Sequence, residues 1–160
     1  MRIETGYLYH IKDDFFDIVN DDNLMTNHER GKKRPTYLTI RDKDILWFIP
    51  LSSKVEKYQK IVDSKIKKFG FCNTILIEKI FDNQTAILLQ NAVPTLEKYI
   101  DHVHTIDNKP AKVPEKLGKI ILENFENLMN LKKRGINLFF TDIDKIKDQM
   151  LEELSVSNNI

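Results

Sequence analysis

Cations and hydroxyls that could hold a phosphate together are concentrated between Lys32 and Tyr58. Lys32-Lys33-Arg34-Pro35 leads into Thr36-Tyr37-Leu38-Thr39-Ile40, and Ile45 to Ile49 is followed by Pro50-Leu51-Ser52-Ser53-Lys54. A guanidinium forks onto two phosphate oxygens, and an ammonium adds a point charge. Hydroxyls at the point where a strand opens a helix add hydrogen bonds, and the free amides and positive dipole end of that helix favour an anion. Arg34, Ser52, Ser53 and Lys54 are therefore the candidate phosphate-handling set.

The serines have a second reading. Ser53 and Glu56 form S-x-x-E ahead of Val55, Tyr58, Val62 and Ile66 at helical spacing, a capping box that starts a helix near Lys54. One serine can cap while Ser52 faces a ligand. Charge favours the anion. From His28 to Lys43 six cations stand against two acids, and from Ser52 to Lys68 the count is again six against two, while the whole chain is only +1. Positive charge segregated in this way is the footprint of a polyanion partner.

The elements that position these groups are short. Thr5 to His10 alternates as a strand, and Asp13 or Asp14 caps a short helix carrying Phe15, Phe16, Ile18 and Val19. Asn20 to Lys33 is a polar loop with Gly31 and a basic end, long enough to suggest binding. Tyr37 to Ile40 is a strand of β-formers, Arg41 to Asp44 a polar turn, and Ile45 to Ile49 a buried strand that Pro50 stops or places at an edge. The basic helix ends at Phe69-Gly70. Asn73 to Lys79 and Thr85 to Leu89 read as a hairpin around Asp82-Asn83, and Thr95 caps a short turn through Tyr99.

Tyr99 to Ile106 reads as a strand that puts His102 and His104 on one face, Asp107 to Pro114 as a loop, and Glu115 to Arg134 as the clearest helix, stopped by Gly135. Leu138 to Phe140 is a candidate last strand. Thr141 and Asp144 open a final helix carrying Ile143, Ile146, Met150 and Leu154. The domain is expected to span residues 1–154, with 155–160 a frayed tail. Many short hairpin strands with intervening helices give an α+β class.

Arg34-Pro35 before a Tyr37 to Ile40 strand, followed by Ile49-Pro50-Leu51-Ser52-Ser53-Lys54, resembles the toxins of type III toxin–antitoxin systems, the ToxN/TenpN/CptN-like endoribonucleases. These are similar in fold to MazF/PemK toxins, which carry an Arg-Pro at one strand start and a Pro-x-Thr/Ser turn after another. The resemblance implies a small, strongly bent antiparallel β-barrel with helices packed outside. It implies metal-independent cleavage of RNA by the ribose 2′-hydroxyl, leaving a 2′,3′-cyclic phosphate, with no cofactor. It implies, too, a repeat-encoded RNA pseudoknot antitoxin that the toxin processes and is inhibited by, in a closed protein–RNA assembly, and a role in phage defence. Arg34 and Lys54 would hold the scissile phosphate and Ser52 and Ser53 orient it. His28, Arg30, Lys32, Lys33, Thr36, Lys57, Lys60 and Lys68 would contact RNA. The family pattern puts a proline between serine and lysine, whereas Lys54 follows Ser53 directly, so the catalytic lysine could be Lys54, Lys57 or Lys33.

Composition bounds the alternatives. The chain has 160 residues, of which 41% are hydrophobic and 31% charged, enough for one compact domain. Cys72 is the only cysteine, which excludes an internal disulfide and a cysteine zinc site and suits a reducing cytoplasm. Phe71, Ile75 and Ile77 around it suggest a buried thiol. No apolar run reaches the length of a signal core or a membrane span. His102 and His104 could act as an acid–base pair, or simply lie on an exposed face. Asp142, Asp144 and Asp148 could suggest a metal nuclease, but their place in the first turns of a helix explains them. Lys132-Lys133-Arg134 complements a helix C-terminus or touches RNA. From Thr141 onward five acids oppose two lysines, so this end faces away from RNA or meets a basic surface. A binding module without catalysis, or a CcdB-like toxin that inhibits another protein, is the alternative to the enzyme.

Overall fold

The computed structural model describes residues 2–40 and 44–158, so the turn expected from Arg41 lies outside the described residues except for Asp44. In chain order the elements are β1 (Leu8–Ile11), α1 (Asp13–Ile18), β2 (His28–Glu29), β3 (Lys32–Lys33), β4 (Thr36–Ile40), β5 (Leu46–Ser52), α2 (Val55–Phe69), β6 (Ile75–Ile80), β7 (Asn83–Leu88), β8 (Val93–Thr95), β9 (Ile100–Val103), β10 (Thr105–Ile106), β11 (Lys109–Pro110), α3 (Glu115–Lys133) and α4 (Ile143–Asn158). The described residues form a mixed α/β fold, with four α-helices and an antiparallel sheet.

Among the described residues the main sheet has seven strands in the order β6-β7-β5-β4-β1-β9, with β8 also on β5. No ladder joins β6 to β9 among the described residues, so the closed barrel implied by the resemblance is not seen. Strand β5 is the spine. It pairs β4 from Thr36↔Pro50 to Ile40↔Leu46, β8 through Leu46 to Phe48, and β7 through Leu51 and Ser52. Of the two expectations at Pro50, a stop or an edge, the stop is not observed. Pro50 falls at the seam between the β8 and β7 ladders, a position that a residue without an amide donor can occupy, and the strand continues to Ser52.

Burial follows the pattern of the sequence. Trp47, Phe48 and Phe15 lie in the core, with ring centroids 5.4 Å apart for both Trp47–Phe125 and Phe15–Phe48. Helix α3 contributes Leu117, Ile121, Phe125 and Leu128, and α4 contributes Ile143, Ile146 and Met150. A smaller cluster, Tyr58, Val62, Ile75, Ala86 and Leu88, fixes α2 onto the β6–β7 hairpin. Helix α2 is thereby held directly after Ser52, and Gly70, at φ 84°, ends it in the left-handed conformation. Cys72 is half-buried beside this cluster.

Further local expectations fail for identifiable reasons. The stretch from Asn20 to Lys33 is not a plain loop: Arg30 and Gly31, at φ 54° and 78°, make a two-residue turn between β2 and β3. Leu138 to Phe140 forms no strand. Phe139 is buried and the Phe140 amide donates to the Gln90 carbonyl at 2.9 Å, so the segment is anchored without a ladder. Helix α4 is capped by Asp142, whose Oδ1 accepts from the Lys145 amide at 3.2 Å, and not by Thr141, and it runs past Leu154 to Asn158.

Candidate functional site

The start of β4 and the end of β5 lie side by side because the ladder pairs Thr36 with Pro50. That register brings Arg34, two residues before Thr36, next to Leu51, Ser52 and Ser53. Arg34 is 5% exposed, and its Nη1 donates to the Leu51 carbonyl at 2.9 Å while Nε donates to the Thr26 carbonyl at 3.0 Å. Its position is therefore fixed from both sides before any ligand is considered.

These groups converge on an anion, and the anion is Glu29. Its Oε2 accepts from Arg34 Nη1 and from Ser52 Oγ, each at 2.7 Å. Its Oε1 accepts from the Ser53 amide at 2.8 Å and from Ser53 Oγ at 2.6 Å. The expected capping box does not form. The Ser53 hydroxyl is bound to Glu29, α2 begins at Val55 without a side-chain cap, and Ser52 Oγ accepts from the Lys54 amide at 3.1 Å. Burial alone would raise the Glu29 pKa. The hydrogen bonds from Ser53, Ser52 and Arg34 outweigh it and hold the carboxyl at about 2.

Glu29 reaches the cradle because of the β2–β3 hairpin. The pairs His28↔Lys33 and Glu29↔Lys32 set its register, and the Arg34 amide donates to the Asn27 carbonyl at 2.7 Å. Asn27 Nδ2 ties the hairpin to the Ile11 carbonyl at 2.8 Å and to Asp13 at 2.9 Å, and His28 Nε2 lies 2.8 Å from the same Asp13 carboxylate.

Two clefts meet at this point. The larger, of about 690 Å³, is lined by Glu29, Arg30, Lys32, Lys33, Arg34, Ser52, Ser53, Gln84, Thr85 and His104, among others. The smaller, of about 390 Å³, is lined by Lys54, Lys57, Tyr58, Lys65, Gln90 and Phe140, and again by Glu29 and Arg34. The Glu29–Arg34 pair is the partition between them.

His104, which lines the larger cleft, belongs to a cluster of three histidines. His10 pairs His102 across the β1–β9 ladder with ring centroids 4.7 Å apart, and His10 Nε2 lies 2.8 Å from His104 Nδ1. Burial, then His104, His102 and Lys33, lower the His10 pKa to about 4 against an opposing push from Asp101. Burial and His102 lower that of His104. Lys33 Nζ bonds Asp101 at 2.9 Å, and that bond raises the Lys33 pKa.

The candidate residues divide into three groups. Arg34, Ser52 and Ser53 converge on one carboxylate, and Arg30, Lys32 and Lys33 line the larger cleft beside them. Lys54 and Lys57 line the smaller cleft. Thr36 is buried with its hydroxyl on the Tyr9 carbonyl at 3.1 Å, His28 is turned to Asp13, and Lys60 and Lys68 are exposed on α2 away from both clefts.

Sequence reasoning missed Glu29, His10 and Asp101. Glu29 entered it only as an acid within a basic run; the signal was Arg30-Gly31, whose turn sends residue 29 back beside Arg34. Among the described residues no three histidine, cysteine or acidic side chains are grouped to hold a metal ion, and no helix is long and apolar enough to cross a membrane.

No protein-family model matches the chain, and no curated protein matches it. Among solved structures it has the fold of AbiQ, described as a lactococcal anti-phage endoribonuclease belonging to the type-III toxin–antitoxin system. The TM-score is 0.72 at 12% identity, over 95% of this chain and 99% of that one.

Proposed function

We propose, starting from the fold shared with AbiQ, that this chain is the toxin of a type III toxin–antitoxin system and an endoribonuclease. One observation carries the reading: Arg34 from before β4 and Ser52 and Ser53 from the end of β5 present four hydrogen-bond donors to the two oxygens of one anion, in a cleft bordered by Arg30, Lys32 and Lys33. A phosphodiester also offers two non-bridging oxygens, and charge-assisted donors of this kind suit it. In this reading RNA enters along the two clefts and its scissile phosphate exchanges with the Glu29 carboxylate on the shared donors.

The ribose 2′-hydroxyl then attacks the adjacent phosphorus as its proton leaves. The P–O5′ bond breaks, the 5′-oxygen takes up a proton, and a 2′,3′-cyclic phosphate remains. Arg34 and the serine donors stabilise the charge that builds on the phosphoryl oxygens. Lys54 and Lys57, on the other side of the partition, hold the neighbouring phosphates. The chain acts as one cytoplasmic domain, with a structured repeat RNA as inhibitor in a closed protein–RNA assembly.

The test is incubation of the purified protein with RNA in excess EDTA and end-group analysis of the products. Cleavage with cyclic-phosphate ends supports the reading, and inhibition by EDTA would favour a metal-assisted route. A second reading is favoured by Glu29 itself. A cradle filled by the chain's own carboxylate suits a non-catalytic binding module or a CcdB-like toxin that inhibits a protein. Growth arrest without RNA cleavage would establish that alternative.

A further inference from the structure

We propose that His104 donates a hydrogen bond from its Nε2–H to the bound phosphodiester, and that His10 fixes the tautomer that makes it a donor. The inference rests on the RNA reading above. His104 lines the larger cleft together with Lys33, Arg34, Ser52 and Ser53. Its Nδ1 lies 2.8 Å from His10 Nε2, so a single proton is shared between those two nitrogens. Which ring owns it follows from the other end of His10. His10 Nδ1 is buried and, among the described residues, has no hydrogen-bond partner. We take the backbone as the guide, where a buried N–H without an acceptor is rarer than an under-used carbonyl. His10 therefore leaves Nδ1 bare, carries its proton on Nε2 and donates it to His104 Nδ1. His104, accepting at Nδ1, holds its own proton on Nε2, for which the described residues supply no acceptor.

The surroundings keep His104 neutral. His10 comes from β1, His102 and Asp101 from β9, and Lys33 from β3, with Lys33 bonded to Asp101. A second proton on His104 would set two N–H groups against each other across 2.8 Å unless His10 moved its own proton to the buried Nδ1. A neutral donor fixed in this way can bond a phosphoryl oxygen as charge develops there, alongside the cationic donors of the cradle. His104 is then a catalytic residue and His10 a positioning residue.

The experiment uses the full chain labelled with ¹⁵N-histidine, free and with a non-cleavable 2′-O-methyl oligoribonucleotide, beside cleavage by His104→Ala, His104→Gln and His10→Phe. The expected result is His104 as the Nε2–H tautomer, titrating at lower pH than a free histidine because burial and His102 disfavour its charge. Its Nε2 signal should move when the oligonucleotide binds. His104→Ala should lower kcat by on the order of 100-fold. His104→Gln, which keeps an N–H donor, should recover part of that loss. His10→Phe should lose the tautomer preference and slow cleavage while melting remains cooperative.

A proton on Nδ1, an Nε2 signal unmoved by an oligonucleotide that binds, or a His104→Ala variant that cleaves as fast as the parent would overturn the proposal. If the parent protein binds the oligonucleotide yet cleaves no RNA, the ribonuclease reading fails by itself, and the tautomer and the shift on binding still decide the histidine.

Discussion

Glu29 and Arg34 are joined by a 2.7 Å ion pair that both fills the anion cradle and divides the larger cleft from the smaller. Any anionic ligand that takes the Ser52 and Ser53 donors must displace Glu29 from them. The pair is thus a structural support and an obstacle in one.

Removing the carboxylate separates those roles. Glu29→Gln keeps the shape but leaves the buried Arg34 guanidinium without its counter-charge, which costs about 3 kcal/mol when such a pair is broken from one side. The same change takes a competing anion off the cradle. We expect lower stability in denaturant melts together with tighter binding of a non-cleavable oligoribonucleotide. Weaker binding by a variant that is still folded would assign Glu29 to RNA recognition instead.

The same carboxylate makes stability depend on acid. Its pKa is about 2 in the folded chain against an ordinary 4.5, a depressed value. Its contribution is complete above the unfolded value and disappears as pH falls through the folded one. The difference in unfolding free energy between the parent and Glu29→Gln should therefore be full above about pH 5 and shrink steadily towards pH 2. Paired melts across that window measure it, and a difference that does not change with pH would refute the linkage.

Lys33 is bonded to Asp101, and that bond raises its pKa, so it stays a fixed cation in the larger cleft. A fixed charge tolerates a charged replacement better than a proton carrier does. Lys33→Arg should retain most of the cleavage rate, and Lys33→Gln should lose much of it. Equal losses in the two variants would make Lys33 a proton-transfer group.

The cationic border should also appear in the salt dependence. For single-stranded RNA each phosphate contact contributes about 0.7 to the slope of log affinity against log salt. Lys54→Ala should reduce that slope by about one contact and weaken binding uniformly across sequences. An unchanged slope would remove Lys54, and with it the smaller cleft, from the RNA path.

What the sequence made legible was local. The Arg34-Pro35 opening and the Pro50 to Ser53 ending each carry recognisable chemistry, and the β-formers from Tyr37 and the apolar run from Ile45 mark two consecutive strands between them. The hairpin at Asp82, the helix from Glu115 and the shared face of His102 and His104 are likewise short-range patterns of period and turn. What stayed hidden depends on contacts distant along the chain. Glu29 lies 23 residues from Ser52, and His10 lies 94 from His104, separations at which no periodicity speaks. Thr36 shows the reverse error: a hydroxyl beside the motif reads as a ligand contact until the ladder turns it inward to the Tyr9 carbonyl.

The central claim is that the donors now holding Glu29 are the ones that hold an RNA phosphate during cleavage. Ser53 is exposed, so Ser53→Ala can be made with little risk to the core, and thermal melting verifies that it folds. Cleavage of one RNA by the parent and by Ser53→Ala, with the product ends identified, tests the claim most directly. The parent should leave 2′,3′-cyclic phosphate ends, and the folded variant should cleave more slowly by on the order of 100-fold. A folded Ser53→Ala that cleaves the same RNA at the parent's rate would contradict it.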